Sequence, residues 1–243
     1  HAALVNEDTD AVFSGALDRD AGEDVDDYYI NQNTLSAGSN YTISYTDNTL
    51  EITPYTLTVV ADSQTKVYGS SDPSLTYTHA ALVNGDNDTV FSGALNRAAG
   101  SDVGSYAINK NTLSAGSNYT IIYTDNTLEI TPASLTITAN DDSKTYDGVP
   151  YSGGNGVTFV GFVNGDDESV LEGELEYFGS SQGAVTAGNY VITPGGLYSG
   201  DEYEEMPGNY NISYVDGVLT IDKAPSTFIP TLVVDPLGRP IVS

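Results

Sequence analysis

The sequence predicts an all-β chain: tandem small β-sandwich domains of the immunoglobulin-like kind, arranged end to end as a rod. Three observations carry that prediction. Residues 1–54 return at 79–132, 78 residues later, with 43 of the 54 positions identical and no insertion or deletion. Apolar and polar residues alternate in short runs, which is the period of half-buried strands and not of helices. Prolines stand where one unit ends and the next begins, at Pro54, Pro132 and Pro225. A repeat of about 80 residues is too long for one coil of a solenoid and long enough for a core of its own.

The elements follow in order. The first unit, 1–54, is incomplete: it lacks a counterpart of Tyr55–Thr78, which the repeat reads as the first two strands. Its last strand ends at Thr53, and Pro54 leads at once into Tyr55-Thr56-Leu57-Thr58-Val59-Val60, the opening strand of a second domain, 55–132. Within that domain Asn118–Thr124 alternates, and Asp125-Asn126 reads as a two-residue hairpin turn into Leu128–Thr131, because both residues tolerate positive φ. Pro132 and Ala133–Thr138 open a third domain, 133–224, which repeats the device with Tyr210–Tyr214, Asp216-Gly217 and Val218–Ile221. One turn near Asn87–Phe91 is the only helical signal, so a grasp-like sheet with that turn packed across it is the alternative to a sandwich.

Residues 225–243 form an extended tail outside the repeats, in which Thr231-Leu232-Val233-Val234-Asp235 echoes the start of the second domain. Proline fixes φ and removes a donor. With no Gly/Ser-rich linker at either junction, neighbouring domains are expected to sit stiffly.

Thirty-four acids against seven Lys and Arg give a formal charge of −27, which repels nucleic acid and anionic membrane. No apolar run approaches the roughly 18 residues of a membrane span, and without cysteine there is no disulfide framework.

Each unit carries an acidic loop at the same place, and these hold the candidate metal ligands: Asp8 and Asp10, Asp86 and Asp88, and Asp166, Asp167 and Glu168. Alternate carboxylates on a turn can converge oxygens on Ca²⁺, so calcium is the one candidate cofactor. None of the loops has the twelve-residue EF-hand spacing, and Asp and Asn serve equally as turn and cap acceptors of backbone N–H, which is the favoured reading. Most of the eighteen tyrosines alternate along strands, where cross-strand packing explains them. A loop present only in the third unit, with Tyr198, Asp201 and Tyr203, is the candidate ligand-binding site for a glycan or protein. His1 and His79 occupy equivalent positions and read as structural, and no nucleophile, metalloprotease or phosphate-loop motif is present. The expectation is therefore no catalytic residue and no enzyme activity.

Lys66-Val67-Tyr68-Gly69, then Asp72-Pro73-Ser74-Leu75, Val103-Gly104-Ser105-Tyr106 and Asn118-Tyr119-Thr120-Ile121, resemble an MBG domain of the YGX type. Lys144-Thr145-Tyr146-Asp147-Gly148, with Gly188-Asn189-Tyr190 and Asn209-Tyr210-Asn211-Ile212, is similar to the YDG-type relative. The resemblance covers residues 1 to about 224 and implies tandem modules of large secreted or surface bacterial adhesins and haemagglutinin-like exoproteins. It implies no catalytic or ligand site.

The expected role is a stalk or spacer that projects a binding region. One alternative is a fibre subunit joined head to tail by strand complementation, the tail of one chain completing the first domain of the next. The other is an adhesive module working through the third domain. Expected partners are neighbouring domains of the same chain, copies of itself, or a host or matrix glycan or protein, with no nucleic acid and no membrane insertion.

Overall fold

The computed structural model describes residues 1–200, 208–227, 233–234, 236–237 and 240–241. The chain divides into two compact units. One comprises residues 1–65, 72–100 and 105–129, and the other residues 66–71, 101–104 and 130–243. The structure is all-β, and among the described residues single 3-10 turns stand at Asp10–Val12, Asp88–Val90 and Glu168–Val170.

In the first unit the first repeat forms β1 (Asp18–Arg19), β2 (Asp27–Asn31) and β3 (Asn48–Glu51), an antiparallel sheet. The second repeat, which lies mostly but not wholly in that unit, forms β4 (Tyr55–Ala61), β5 (Gln64–Val67), β6 (Tyr77–His79), β7 (Asn96–Arg97), β8 (Gly104–Asn109), β9 (Tyr119–Thr124) and β10 (Asn126–Thr131). They make two sheets, in the orders β6-β4-β9 and β5-β10-β8-β7. Alternation does what the sequence expects: along β4, Leu57 and Val59 are fully buried while Thr56 and Thr58 are exposed. Leu57, Val59, Leu113, Ala115 and Tyr119 form one cluster, and Ala61 of β4 joins Ile108 of β8 and Leu128 of β10 in another. The two sheets therefore face one another as a sandwich, and each aliphatic side chain buried this way contributes about 1.5–3 kcal/mol.

Residues 41–46 of the first repeat form no strand, although the nearly identical 119–124 are β9. β9 exists because β4 lies parallel beside it, Tyr55 opposite Tyr119 through Val60 opposite Thr124. The first repeat has no such neighbour among the described residues. The consequence shows in burial: Leu50 is 42% exposed, whereas its equivalent Leu128 is fully buried.

The second unit contains the third repeat: β11 (Ala133–Ala139), β12 (Asp142–Thr145), β13 (Val157–Val160), β14 (Glu172–Phe178), β15 (Gly188–Tyr198), β16 (Tyr210–Val215) and β17 (Gly217–Asp222). Its sheets run β13-β11-β16 and β12-β17-β15-β14. Ala139, Ile192, Leu219, Ile221 and Ala184 form the core between them. In the tail, β18 (Val233–Val234) pairs antiparallel with β19 (Pro240–Ile241).

Two details differ from the sequence reading. The Asp125-Asn126 and Asp216-Gly217 turns are not hairpins. β9 and β10 lie in different sheets, as do β16 and β17, so each turn carries the chain across the sandwich from one sheet to the other. None of the four residues has positive φ, which a type I′ hairpin turn demands. Asn126 Nδ2 instead donates to Ala61 O of the opposite sheet at 3.2 Å, and Val218 N donates at 2.8 Å to Asp141 Oδ1, in the connection between Ala139 and Asp142. The second detail is strand direction. β4 with β9, β11 with β16 and β12 with β17 are parallel, so the sandwich is mixed where an immunoglobulin-type reading expects antiparallel pairing. Crossing between sheets at the turn is what lets consecutive strands keep parallel partners.

Candidate functional site

The positive-φ pair that the sequence does require lies elsewhere, in the acidic loops. Asn6-Glu7, Asn84-Gly85 and Asn164-Gly165 all stand at φ between 55° and 83°. The amide of Asp8, Asp86 or Asp166 closes each turn onto the carbonyl of Val5, Val83 or Val163 at 2.9–3.1 Å. Each turn is then held by a tyrosine. Tyr119 donates to Asp86 Oδ2 at 2.7 Å and accepts from Val83 N at 3.2 Å. Tyr41 does the same with Asp8 at 2.9 Å and Val5 N at 3.1 Å, and Tyr210 with Asp166 at 2.7 Å and Val163 N at 3.1 Å. Burial, and after it the bond to Asp166, pushes the Tyr210 phenol up to about 12. The same two causes act on Tyr119 through Asp86.

These locks stand beside a junction in each unit. In the first unit Asn118, the residue before Tyr119, accepts from Val25 N at 2.8 Å and donates from Nδ2 to Asp24 Oδ1 at 2.7 Å. Its backbone carbonyl accepts from Tyr55 N at 2.9 Å, the first residue after the Pro54 linker. In the second unit Asn209, before Tyr210, accepts from Val103 N at 2.8 Å and donates to Asp102 Oδ1 at 2.9 Å, and its carbonyl takes Ala133 N at 3.0 Å. One asparagine in each case ties the edge of the preceding repeat, the linker and its own strand.

The second unit adds a further contact from residues 66–71. The Tyr68 hydroxyl donates to Asp166 Oδ2 at 3.1 Å, and its ring meets that of Tyr210 edge-on at 5.6 Å. Gly69 lies so close to Val163 that a Cβ on it would come within 2.5 Å of Cγ2. That is a requirement for glycine set by a neighbouring repeat, in addition to its own φ of 81°.

The family model of the MBG domain (YGX type) matches residues 2–51, 57–129 and 135–220. The chain belongs to that family. All three MBG repeats match the YGX type, including the third, in which Tyr146-Asp147-Gly148 stands where the second has Tyr68-Gly69. No curated protein and no solved structure matches the chain.

Of the residues singled out as calcium ligands, Asp8, Asp86 and Asp166 hold the tyrosine locks. Asp10 and Asp88 meet His1 and His79 at 2.9 and 3.2 Å. Asp167 caps the 3-10 turn by accepting from Ser169 N at 2.9 Å, and Ser169 holds its carboxyl below the usual range. Glu168 is the first residue of that turn. Among the described residues no three of His, Asp and Glu group where they could hold a metal ion. Tyr198 ends β15 opposite Glu172, while Asp201 and Tyr203 lie outside the described residues.

The histidines pack on aromatic rings, His1 on Phe13 and His79 on Phe91. No helix among the described residues is long and apolar enough to cross a membrane. Sequence reasoning placed tyrosines and acids in separate accounts and missed Asn118 and Asn209. The available signal was the recurrence of Asn-Tyr at one fixed place, with Asn-x-Asp at another, in all three MBG repeats.

Proposed function

We propose that this MBG array is a spacer segment of a secreted or surface-displayed bacterial adhesin, setting the distance between a binding region and its anchor. The observation that carries the reading is the paired asparagine clamp. Asn118 and Asn209 each fasten a repeat to the one before it through two side-chain hydrogen bonds, over and above the proline linker. A connection so fastened restrains hinge motion, which a spacer needs and a flexible tether does not. The formal charge of −27 adds mutual repulsion between neighbouring molecules and keeps near-identical domains from pairing edge to edge.

Small-angle X-ray scattering over a concentration series tests this. A compact chain of this length has a radius of gyration of about 18 Å, whereas three domains of about 40 Å in line give about 35 Å. A value near 35 Å, constant with concentration, is the expected result, and a value near 18 Å rejects the spacer.

A second reading, a fibre subunit joined by strand complementation, draws on the first repeat. Beside residues 41–46, where β4 would lie in the second repeat, a groove of about 260 Å³ is lined by His1, Leu4, Phe13, Ala37, Tyr41 and Ile43. An added strand with apolar residues at alternate positions fits such an edge. Growth of the scattering mass with concentration would favour it over the spacer.

A further inference from the structure

The first repeat presents the same face that the second and third repeats use to receive a preceding domain. Val5, Asp8, Asn40 and Tyr41 stand 78 positions before Val83, Asp86, Asn118 and Tyr119. The Tyr41–Asp8 lock is formed there with the geometry of the Tyr210–Asp166 lock. Val5, the equivalent of the Val163 that seats Gly69, is 62% exposed. Asn40 is also exposed.

The domain edges that such a face can receive are not all alike. The second repeat offers Tyr68-Gly69 and Asp102-Val103, and the first offers Asp24-Val25. The third repeat has Tyr146-Asp147-Gly148, one residue longer, where Tyr68-Gly69 stands, with Gly148 keeping the positive φ of Gly69 at 76° against 81°, and it has Thr186-Ala187 where Asp102-Val103 stands. Asp147 is the residue added between tyrosine and glycine, and its carboxylate is engaged by Lys144 Nζ at 2.8 Å. Thr186 replaces the carboxylate that receives the asparagine amide, and its hydroxyl is engaged by Tyr190 at 2.7 Å.

We infer that the Val5–Asp8–Asn40–Tyr41 face is a docking surface for an MBG domain whose edge carries Tyr-Gly and Asp-Val, as the second repeat's does, and that it rejects an edge of the third repeat's kind. Order within an array is thereby written in two features of the outgoing edge: a tyrosine followed directly by glycine at the close approach to valine, with no residue inserted between them, and the Asp-Val pair for the asparagine. The inference rests on the spacer reading and adds a selection rule to it.

The test extends the full chain ahead of His1 with a copy of residues 55–132 followed by a copy of 55–78, which supplies the first repeat with its opening strands. Amide hydrogen exchange is read at Val103 of the added copy, with the original Val103, clamped by Asn209, as internal control. The expected result is matching protection at both. Asn40→Ala then speeds exchange roughly tenfold at the added Val103 alone. Replacing the added edge by Asp102→Thr and Val103→Ala, read at residue 103 itself, removes the protection in the same way. Equal exchange with and without Asn40→Ala, or full protection of the substituted edge, overturns the inference, and persistence of the control signal excludes unfolding as the cause. A radius of gyration near the compact value in the unextended chain would reject the spacer reading separately, whatever the exchange shows.

Discussion

The hydroxyl of Tyr119 lies 2.7 Å from Asp86 Oδ2, and the same bond joins Tyr41 to Asp8 and Tyr210 to Asp166. The tyrosine is a strand residue of the core, 6% exposed, while the aspartate closes a surface turn. The bond therefore ties loop conformation to core packing. In the second unit the same aspartate also receives Tyr68, so the position of the loop decides whether the preceding edge finds its acceptor.

Tyr119→Phe removes the donor and leaves the ring in place. A hydrogen bond to a charged acceptor contributes about 1.5–3 kcal/mol, less where the acceptor is exposed, and Asp86 is exposed. The expected loss is about 1–2 kcal/mol, read as a lower urea midpoint with an unchanged slope. Asp86→Asn retains an acceptor oxygen and should cost less than Tyr119→Phe. An unchanged midpoint for Tyr119→Phe would mean that the lock is incidental to stability.

Alkaline pH acts on the same tyrosines. Burial and the Asp166 bond raise Tyr210 to about 12, and burial with the Asp142 bond raises Tyr151 to about 12, against 10.0 for a free phenol. Below pH 10 both states keep the proton and stability is unaffected. Between about pH 10 and 12 the unfolded chain releases protons that the folded chain retains, so it binds fewer of them and stability falls with pH. Thermal melting should therefore drop steeply across that window, and less steeply in Tyr151→Phe, which has no proton to lose. A flat profile up to pH 12 would contradict the burial of these phenols.

Much of the fold is legible in the sequence because alternation is a local signal: Leu57, Val59, Leu135 and Ile137 are buried where a period of two puts them. The repeat itself marks which strands recur. What is not legible is which sheet a strand joins. Asp125-Asn126 carries hairpin residues yet crosses the sandwich, because β4 competes for β9 and the Asn126 side chain reaches Ala61 O across the gap. The junction contacts are hidden for a different reason. Asn118 and Asp24 are 94 positions apart and belong to different repeats, and neither hydrophobic period nor turn chemistry carries information over that distance. The Gly69 requirement is similar: its turn and positive φ are local, but Val163 is not.

Glu7 holds a left-handed conformation, φ 61°, at the place where the second and third repeats have Gly85 and Gly165. A side chain in that region costs about 1–2 kcal/mol. Glu7→Gly should stabilise the first repeat by about 1 kcal/mol after the greater freedom of glycine in the unfolded chain is offset. Gly85→Glu should destabilise the second by a similar amount, with no clash contributing, since a Cβ at Gly85 meets nothing within 4 Å. Opposite signs in paired melting curves are the expected outcome; equal signs would mean that the turn relaxes when the residue changes.

Gly217 isolates sterics from backbone strain. Its φ is not positive, yet a Cβ there would lie 2.6 Å from Ala139 O, where the chain crosses between sheets. The second repeat has Asn126 at the equivalent place, and there the side chain donates to the matching carbonyl, Ala61 O. Gly217→Ala adds bulk with nothing to offset it and should cost about 1–3 kcal/mol, the usual range for overpacking. Gly217→Asn adds more bulk but also the donor that the second repeat uses, so it should cost less than alanine despite its size. Urea unfolding of both variants decides the matter. If asparagine is worse than alanine, the two crossings are held by different contacts, and the close approach at Ala139 is a feature of the third repeat alone.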